Sequence, residues 1–125
     1  MKKIIYYSSS TYNFAGEITR TLALCELYTF GFFSLNYPDQ LIQLVRSEPK
    51  NQLVVILTVL NHGELDELIS TRHMFETVPI VLILPDEDDF TLHKAHQLHP
   101  RFITTVNHDY NNVLSVVEKL SNNLH

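Results

Sequence analysis

The stretch Leu53-Val54-Val55-Ile56-Leu57-Thr58-Val59-Leu60 limits the fold more than any other part of the chain, because every residue in it except Thr58 is apolar. Successive side chains of a strand point to opposite faces, so this run needs cover on both faces. It belongs in the centre of a parallel sheet packed between helices. The turn Asn61-His62-Gly63 follows it. In open parallel sheets the loops at the carboxyl ends of the strands form the binding crevice, at the point where strand order reverses. Thr58 is the one polar side chain that this strand brings there.

The remaining segments supply partners for that strand. Lys2 to Tyr7 is a short β-rich run that stops at the hydroxyl-bearing loop Ser8-Ser9-Ser10-Thr11. Phe14, Ile18, Leu22 and Cys25 recur at helical spacing after the cap candidate Asn13, which predicts a helix over about 14–26. Tyr28 to Leu35 reads as the second strand. Asn36 and Pro38 open a second helix with Leu41, Leu44 and Val45 on one stripe, and the breaker-rich run Ser47 to Asn51 closes it. After the central strand, Asn61 and Glu64 have capping-box spacing, and Leu65, Leu68, Ile69 and Phe75 extend a third helical stripe. Val78 to Leu84 is a fourth, almost wholly apolar strand. The acidic loop Pro85 to Asp89 leads from it into a fourth helix, Phe90 to Leu98, whose weak apolar stripe predicts a loose hold on the core. Phe102 to Val106 makes a fifth strand, and Tyr110, Val113, Leu114, Val117 and Leu120 give a strongly amphipathic last helix before a tail that frays from Ser121.

Strands alternating with helices across short loops specify right-handed crossovers. The expected architecture is α/β: a doubly wound three-layer sandwich around a five-stranded parallel sheet of order 2-1-3-4-5, the flavodoxin-like arrangement, as a single domain over residues 1–125. Its switch point falls between strands one and three. The loops 8–13 and 59–63 therefore border the crevice.

The composition, 45% hydrophobic and 18% charged over 125 residues, is that of an ordinary globular domain. Nine basic against fourteen acidic residues give a formal charge of −5. Without clustered Lys and Arg, this argues against nucleic acid as a partner. The apolar runs are strand-sized, short of the ~20 residues a membrane span requires, and Met1-Lys2-Lys3 leads into a strand rather than a signal sequence. The expected setting is cytoplasmic, with no membrane partner. Cys25, the only cysteine, has no partner for a disulfide within the chain and falls on the buried stripe of its helix. His93, His96 and His99 are spaced by three, which puts neighbours on adjoining helix faces. Pro100 follows and no cysteine or carboxylate joins them, so they read as solvated and no metal is assigned. His62 and His108 lie on loops two strand spacings apart, ~10 Å, and receive no acid or base role.

From Lys2 to Leu120 the pattern resembles the receiver domains of bacterial two-component response regulators. Lys2 to Tyr7 is similar to the receiver's first strand, Thr58 to Gly63 to the stretch that begins at the phosphoacceptor, and Pro79 to Pro85 to the fourth strand. Ala95 and the run Phe102 to Asn107 follow at matching spacing. The resemblance implies a signalling domain and also implies where phosphoryl chemistry would sit. Each of those positions is substituted. Ser8 and Ser9 stand for the acidic pair that holds a divalent cation, and Thr58 stands for the acceptor aspartate. Leu84 replaces the hydroxyl residue that ends strand four, and Val106 and Asn107 replace the lysine and proline after strand five. An acyl phosphate needs a carboxylate nucleophile, a magnesium ion and a cation for the developing charge. The expectation is a receiver-like domain that is not an enzyme, takes no cofactor and acts through protein contact.

In receivers the face made by the fourth helix, fifth strand and fifth helix is a common dimer or effector surface. Here it would carry His93, His96, Gln97, Phe102 and Thr104 toward a protein partner or a second copy, and histidine charge would make such contact pH-dependent. The alternative is a small FMN-binding redox protein. Tyr7 to Asn13 is similar to the phosphate loop of flavodoxins, in which hydroxyls and amides ahead of a helix hold the FMN phosphate, and His62 to Leu65 is similar to their second flavin loop. Tyr12, however, stands where that phosphate loop carries glycine, and no Gly-rich or aromatic third loop follows.

Overall fold

A computed structural model describes residues 3–9, 31–49, 52–105 and 110–122. The helix predicted over 14–26 with Cys25, the loop residues 10–13, and Val106, Asn107 and His108 lie outside the described residues. Five strands, β1 (Lys3–Ser8), β2 (Gly31–Leu35), β3 (Leu53–Thr58), β4 (Ile80–Leu84) and β5 (Phe102–Thr105), form one sheet of order β2-β1-β3-β4-β5. Every neighbouring pair is parallel. This is the order expected from the apolar runs, with the reversal between β1 and β3.

All six residues of β3 are buried, as a strand covered on both faces must be. The period-two alternation sorts the core into two layers. Ile5, Tyr7, Val55, Leu57, Ile80, Leu82 and Leu84 pack in one cluster with Leu41, Leu65, Ala95 and Leu98. These last four come from helix α1 (Pro38–Ser47), helix α2 (His62–Ser70), helix α3 (Asp89–Ala95) and the 3-10 turn that follows α3 (His96–Leu98). The alternate residues, among them Ile4, Tyr6, Val54, Ile56, Val81 and Ile83, are equally buried. They face the other way, toward the layer of helix α4 (Tyr110–Asn122), which packs on β3 and buries Val113 and Val117.

Three helical expectations change in detail. The stripe read as one helix from Leu65 to Phe75 breaks at Thr71, whose hydroxyl donates back to the Leu68 carbonyl at 3.0 Å, and Phe75 reaches the core from a separate 3-10 turn, Arg72–Phe75. The fourth predicted helix is not loosely held: Thr91 and Ala95 are fully buried and Leu98 nearly so. A count of large apolar residues misses that contact because two of the three side chains are small. The last helix runs through Asn122, past the expected fraying point at Ser121. No helix among the described residues is long and apolar enough to cross a membrane.

Candidate functional site

Ser8 and Thr58 are register partners at the carboxyl ends of β1 and β3. They share a sheet face with Tyr6 by the alternation of side chains. Both are buried, Thr58 completely. Thr58 Oγ1 donates to Tyr6 Oη at 3.0 Å, and the Ser8 side chain bonds the same phenol. Burial, the largest influence, raises the Tyr6 phenol above its ordinary value against the opposing effect of these two bonds. A chain of three core hydroxyls therefore stands at the position where the resemblance puts a phosphoacceptor.

Of the other residues of that expected pocket, Val106 lies outside the described residues, and Leu84 and Ser9 do not converge on Thr58. Register places Thr58 beside Ile83, so Leu84 lies one residue further on and turns to the opposite face, into the core beneath α1 to α3. Its partner on β5, Thr105, is buried, and its Oγ1 has no hydrogen-bond partner among the described residues. Ser9 Oγ donates to Glu64 Oε2 at 2.5 Å, while Glu64 Oε1 accepts from Leu60 N at 3.1 Å. Asn36 Nδ2 donates to the Ser8 carbonyl at 3.0 Å, tying the loops after β1 and β2 together.

Receivers hold a magnesium ion at this place, and the residues present do not fit one. Magnesium favours carboxylate and water oxygens in octahedral geometry. Ser8 and Ser9 are hydroxyls with other partners, and Glu64, the carboxylate that reaches the loop among the described residues, engages both of its oxygens. Among the described residues no group of three or more His, Cys, Asp or Glu is placed to hold a metal.

Beside this pocket, β3 and β4 are neighbours, and so are the loops that leave them. His62, first residue of α2, places Nε2 3.2 Å from Thr91 Oγ1 and 3.8 Å from Asp86 Oδ2. The Thr91 hydroxyl bonds Asp86 and, with the Asp88 amide and the nearby His62, holds that carboxyl below its usual range, the Thr91 bond contributing most. Phe90 stacks on the imidazole with ring centroids 5.7 Å apart, Lys94 Nζ lies 5.0 Å from the Phe90 centroid, and Lys94 pairs with Asp66 at 2.6 Å. Thr91 is buried and its hydroxyl is shared between His62 and Asp86, so this arrangement clasps α3 to α2 and exposes no nucleophile. For an acid or base role, the sequence sets His62 only against His108. The adjacency of strands three and four, which the order 2-1-3-4-5 already implies, was the signal that its partners come from the acidic loop.

No protein-family model matches the sequence, and no curated protein sequence matches it. Solved structures do. The chemotaxis protein CheY4 of Vibrio cholerae superposes with a TM-score of 0.72 over 96% of this chain and 98% of its own, at 10% identity. The signal receiver domain of the response regulator NarL from Mycobacterium tuberculosis gives 0.72 over 98% and 97%, at 11% identity. A pilus assembly-related protein from Burkholderia pseudomallei gives 0.70 over 98% and 90%, at 12% identity.

The chain has the receiver fold. Within the receiver fold, the expected interaction residues divide between layers. His93, His96 and Gln97 are exposed on α3 and the turn after it, where they line one groove with Arg72 and His99. Phe102 and Thr104, half-buried on β5, pair with Val81 and Ile83 and share their face of the sheet, the face turned away from α3. They do not line that groove.

Proposed function

We propose that this chain is a receiver-fold signalling domain that works by contacting another protein and carries no phosphoryl group on its third strand. The observation that supports this is Thr58: the residue at the acceptor position is a hydroxyl without exposed surface, already hydrogen-bonded to Tyr6. Phosphoryl transfer through an aspartyl phosphate needs a carboxylate nucleophile beside a bound cation and a second positive group. Here the surrounding positions offer Ser8, Ser9 and Leu84. The structural neighbours include a chemotaxis protein and a response regulator, which supports signalling as the setting.

The contact surface in this reading includes His93 on α3 and His96 and Gln97 on the turn after it, with Phe102 and Thr104 at the β5 edge, and the occupant is a protein partner or a second copy. Incubation with acetyl phosphate and magnesium is the test. No hydroxylamine-sensitive phosphate is expected on the chain, and its appearance overturns the reading. Sedimentation of wild type beside a His93→Ala, His96→Ala, Phe102→Ala variant tests the surface separately. Loss of association in the variant is expected if copies meet there, and identical behaviour rejects it as a homodimer face.

A further inference from the structure

The end of the sheet opposite the Thr58 pocket carries a different chemistry. Two open grooves, of about 390 Å³ and about 450 Å³, meet where both are lined by Arg72, Gln97 and His99. Arg101 and Glu76 line the first, and His93 and His96 line the second. Arg72 comes from the 3-10 turn after α2 and Arg101 from the residue before β5, so the fold brings together two arginines far apart in sequence. Arg72 Nη1 donates to the Ile69 carbonyl at 3.1 Å, which holds its guanidinium, and the Arg101 backbone N–H donates to the Ile80 carbonyl at 2.8 Å, which anchors its main chain. The ion pairs among the described residues join Lys3 to Glu48, His62 to Asp86 and Lys94 to Asp66. Neither arginine is in one. On a protein of formal charge −5, the described residues of this surface comprise two guanidinium groups outside any ion pair, three histidines and a single carboxylate.

We propose that this double groove binds an acidic segment of a partner protein, an extended peptide with carboxylates spaced along it. The proposal rests on the reading of the chain as a protein-binding domain and names the chemistry of its partner. Arginine presents a planar fork of donors that matches a carboxylate two bonds at a time, and unpaired arginines are a recurring means of capturing acidic motifs. Both arginines line the first lobe, where Glu76 also stands, and the second lobe extends from Arg72 past the imidazoles of His93 and His96, so the donors do not converge on one point. That layout suits separated carboxylates better than one compact anion. Gln97, at the junction, adds an amide that can bond a peptide backbone. A long polyanion such as nucleic acid would extend past the patch and meet the repulsion of a protein of formal charge −5.

The test is fluorescence anisotropy with a short fluorescein-labelled Glu/Gly/Ser peptide in low salt, using the whole chain. Saturable binding is expected. Arg101→Ala should weaken it by about tenfold or more, the scale of one charge-assisted contact, while Arg46→Ala, which removes the same charge from the last turn of α1, should leave it unchanged. Arg72→Ala also breaks the bond to Ile69, so it is read only if its melting temperature matches wild type. Amide shift mapping on the wild type needs no variant, and the peptide should move Arg72, Gln97, His99 and Arg101. Absence of saturable binding, shifts confined to other residues, equal weakening by Arg46→Ala, or tighter binding of a single-stranded oligonucleotide of matched charge would each overturn the proposal. If peptide binding fails while association in sedimentation persists, the groove assignment falls and the protein-binding reading stands. If hydroxylamine-sensitive phosphate appears on a chain that binds the peptide, the groove assignment stands and the reading of the third strand as unphosphorylated falls.

Discussion

Thr58 and Tyr6 hold each other's hydroxyls inside the sheet layer, 3.0 Å apart and without exposed surface. Removing one partner leaves a buried polar group under-satisfied, which costs about 1–2 kcal/mol even when the shape is kept. Thr58→Val is therefore expected to lower stability by about that amount, read as a shift of the urea midpoint at constant slope. Tyr6 keeps its bond to Ser8, which limits the loss. Asp86 gives a pH-dependent counterpart. Its carboxyl is held below its ordinary value of 3.8 by the Thr91 hydroxyl first, then the Asp88 amide and the nearby His62. A depressed folded-state value means that the ionised group stabilises the fold above 3.8 and that this contribution is lost as pH falls through the lower, folded value. Asp86→Asn should consequently be less stable than wild type near neutral pH, with the difference closing below 3.8. Paired urea titrations at the two pH values check it, and a gap that persists in acid would mean the carboxylate charge is not its source.

Single elements show which sequence signals carried over into the structure. Asn61 and Glu64 were legible as a cap, and the side chain of Asn61 does accept from Glu64 N at 2.9 Å. Glu64 reaches one residue further back than the usual box, to Leu60 N, and so closes the turn that leaves β3. Asn61→Ala should cost about 1 kcal/mol, measured by thermal or urea unfolding. The apolar runs of β3 and β4 were equally legible, because a strand buried on both faces leaves no ambiguity of period. Their ends were not. Val59 remains buried beyond the end of β3 with its N–H bonded to the Ile83 carbonyl, while Val78 is buried ahead of β4 through a turn bond to Phe75. Hydrophobicity reports burial, and burial continues past the ladder. The hold on α3 was missed for a related reason: Thr91 and Ala95 pack as small residues, and the contacts of His62 with Phe90 and Thr91 and of Lys94 with Asp66 arise from strand adjacency, which no local window contains.

Across the whole molecule the strand order was legible and the distribution of charge was not. Summed over the chain, −5 conveys only an acidic protein, but the fold sorts its charges along the strand direction. The carboxyl end gathers Asp86, Glu87, Asp88 and Asp89 after β4 and Glu64 in the first turn of α2, whereas Arg72 and Arg101 occupy the opposite end. This arrangement bears on the flavin alternative. A flavin mononucleotide brings a phosphate dianion to the loop after β1, where helix amides and hydroxyls would have to receive it. In this chain Ser9 Oγ already donates to Glu64, so a carboxylate stands beside that loop, and the acidic run after β4 lies across the same crevice. Like charges at such range oppose binding, most strongly at low ionic strength. Added FMN is therefore expected to keep its full fluorescence at micromolar protein, both in low salt and after salt has screened the repulsion, because Tyr12 also stands where the flavodoxin loop needs glycine. Stoichiometric quenching, or a yellow protein after mild purification, would return the flavin reading to first place. Quenching that appears only at high salt would show that charge alone, and not the shape of the loop, keeps FMN out.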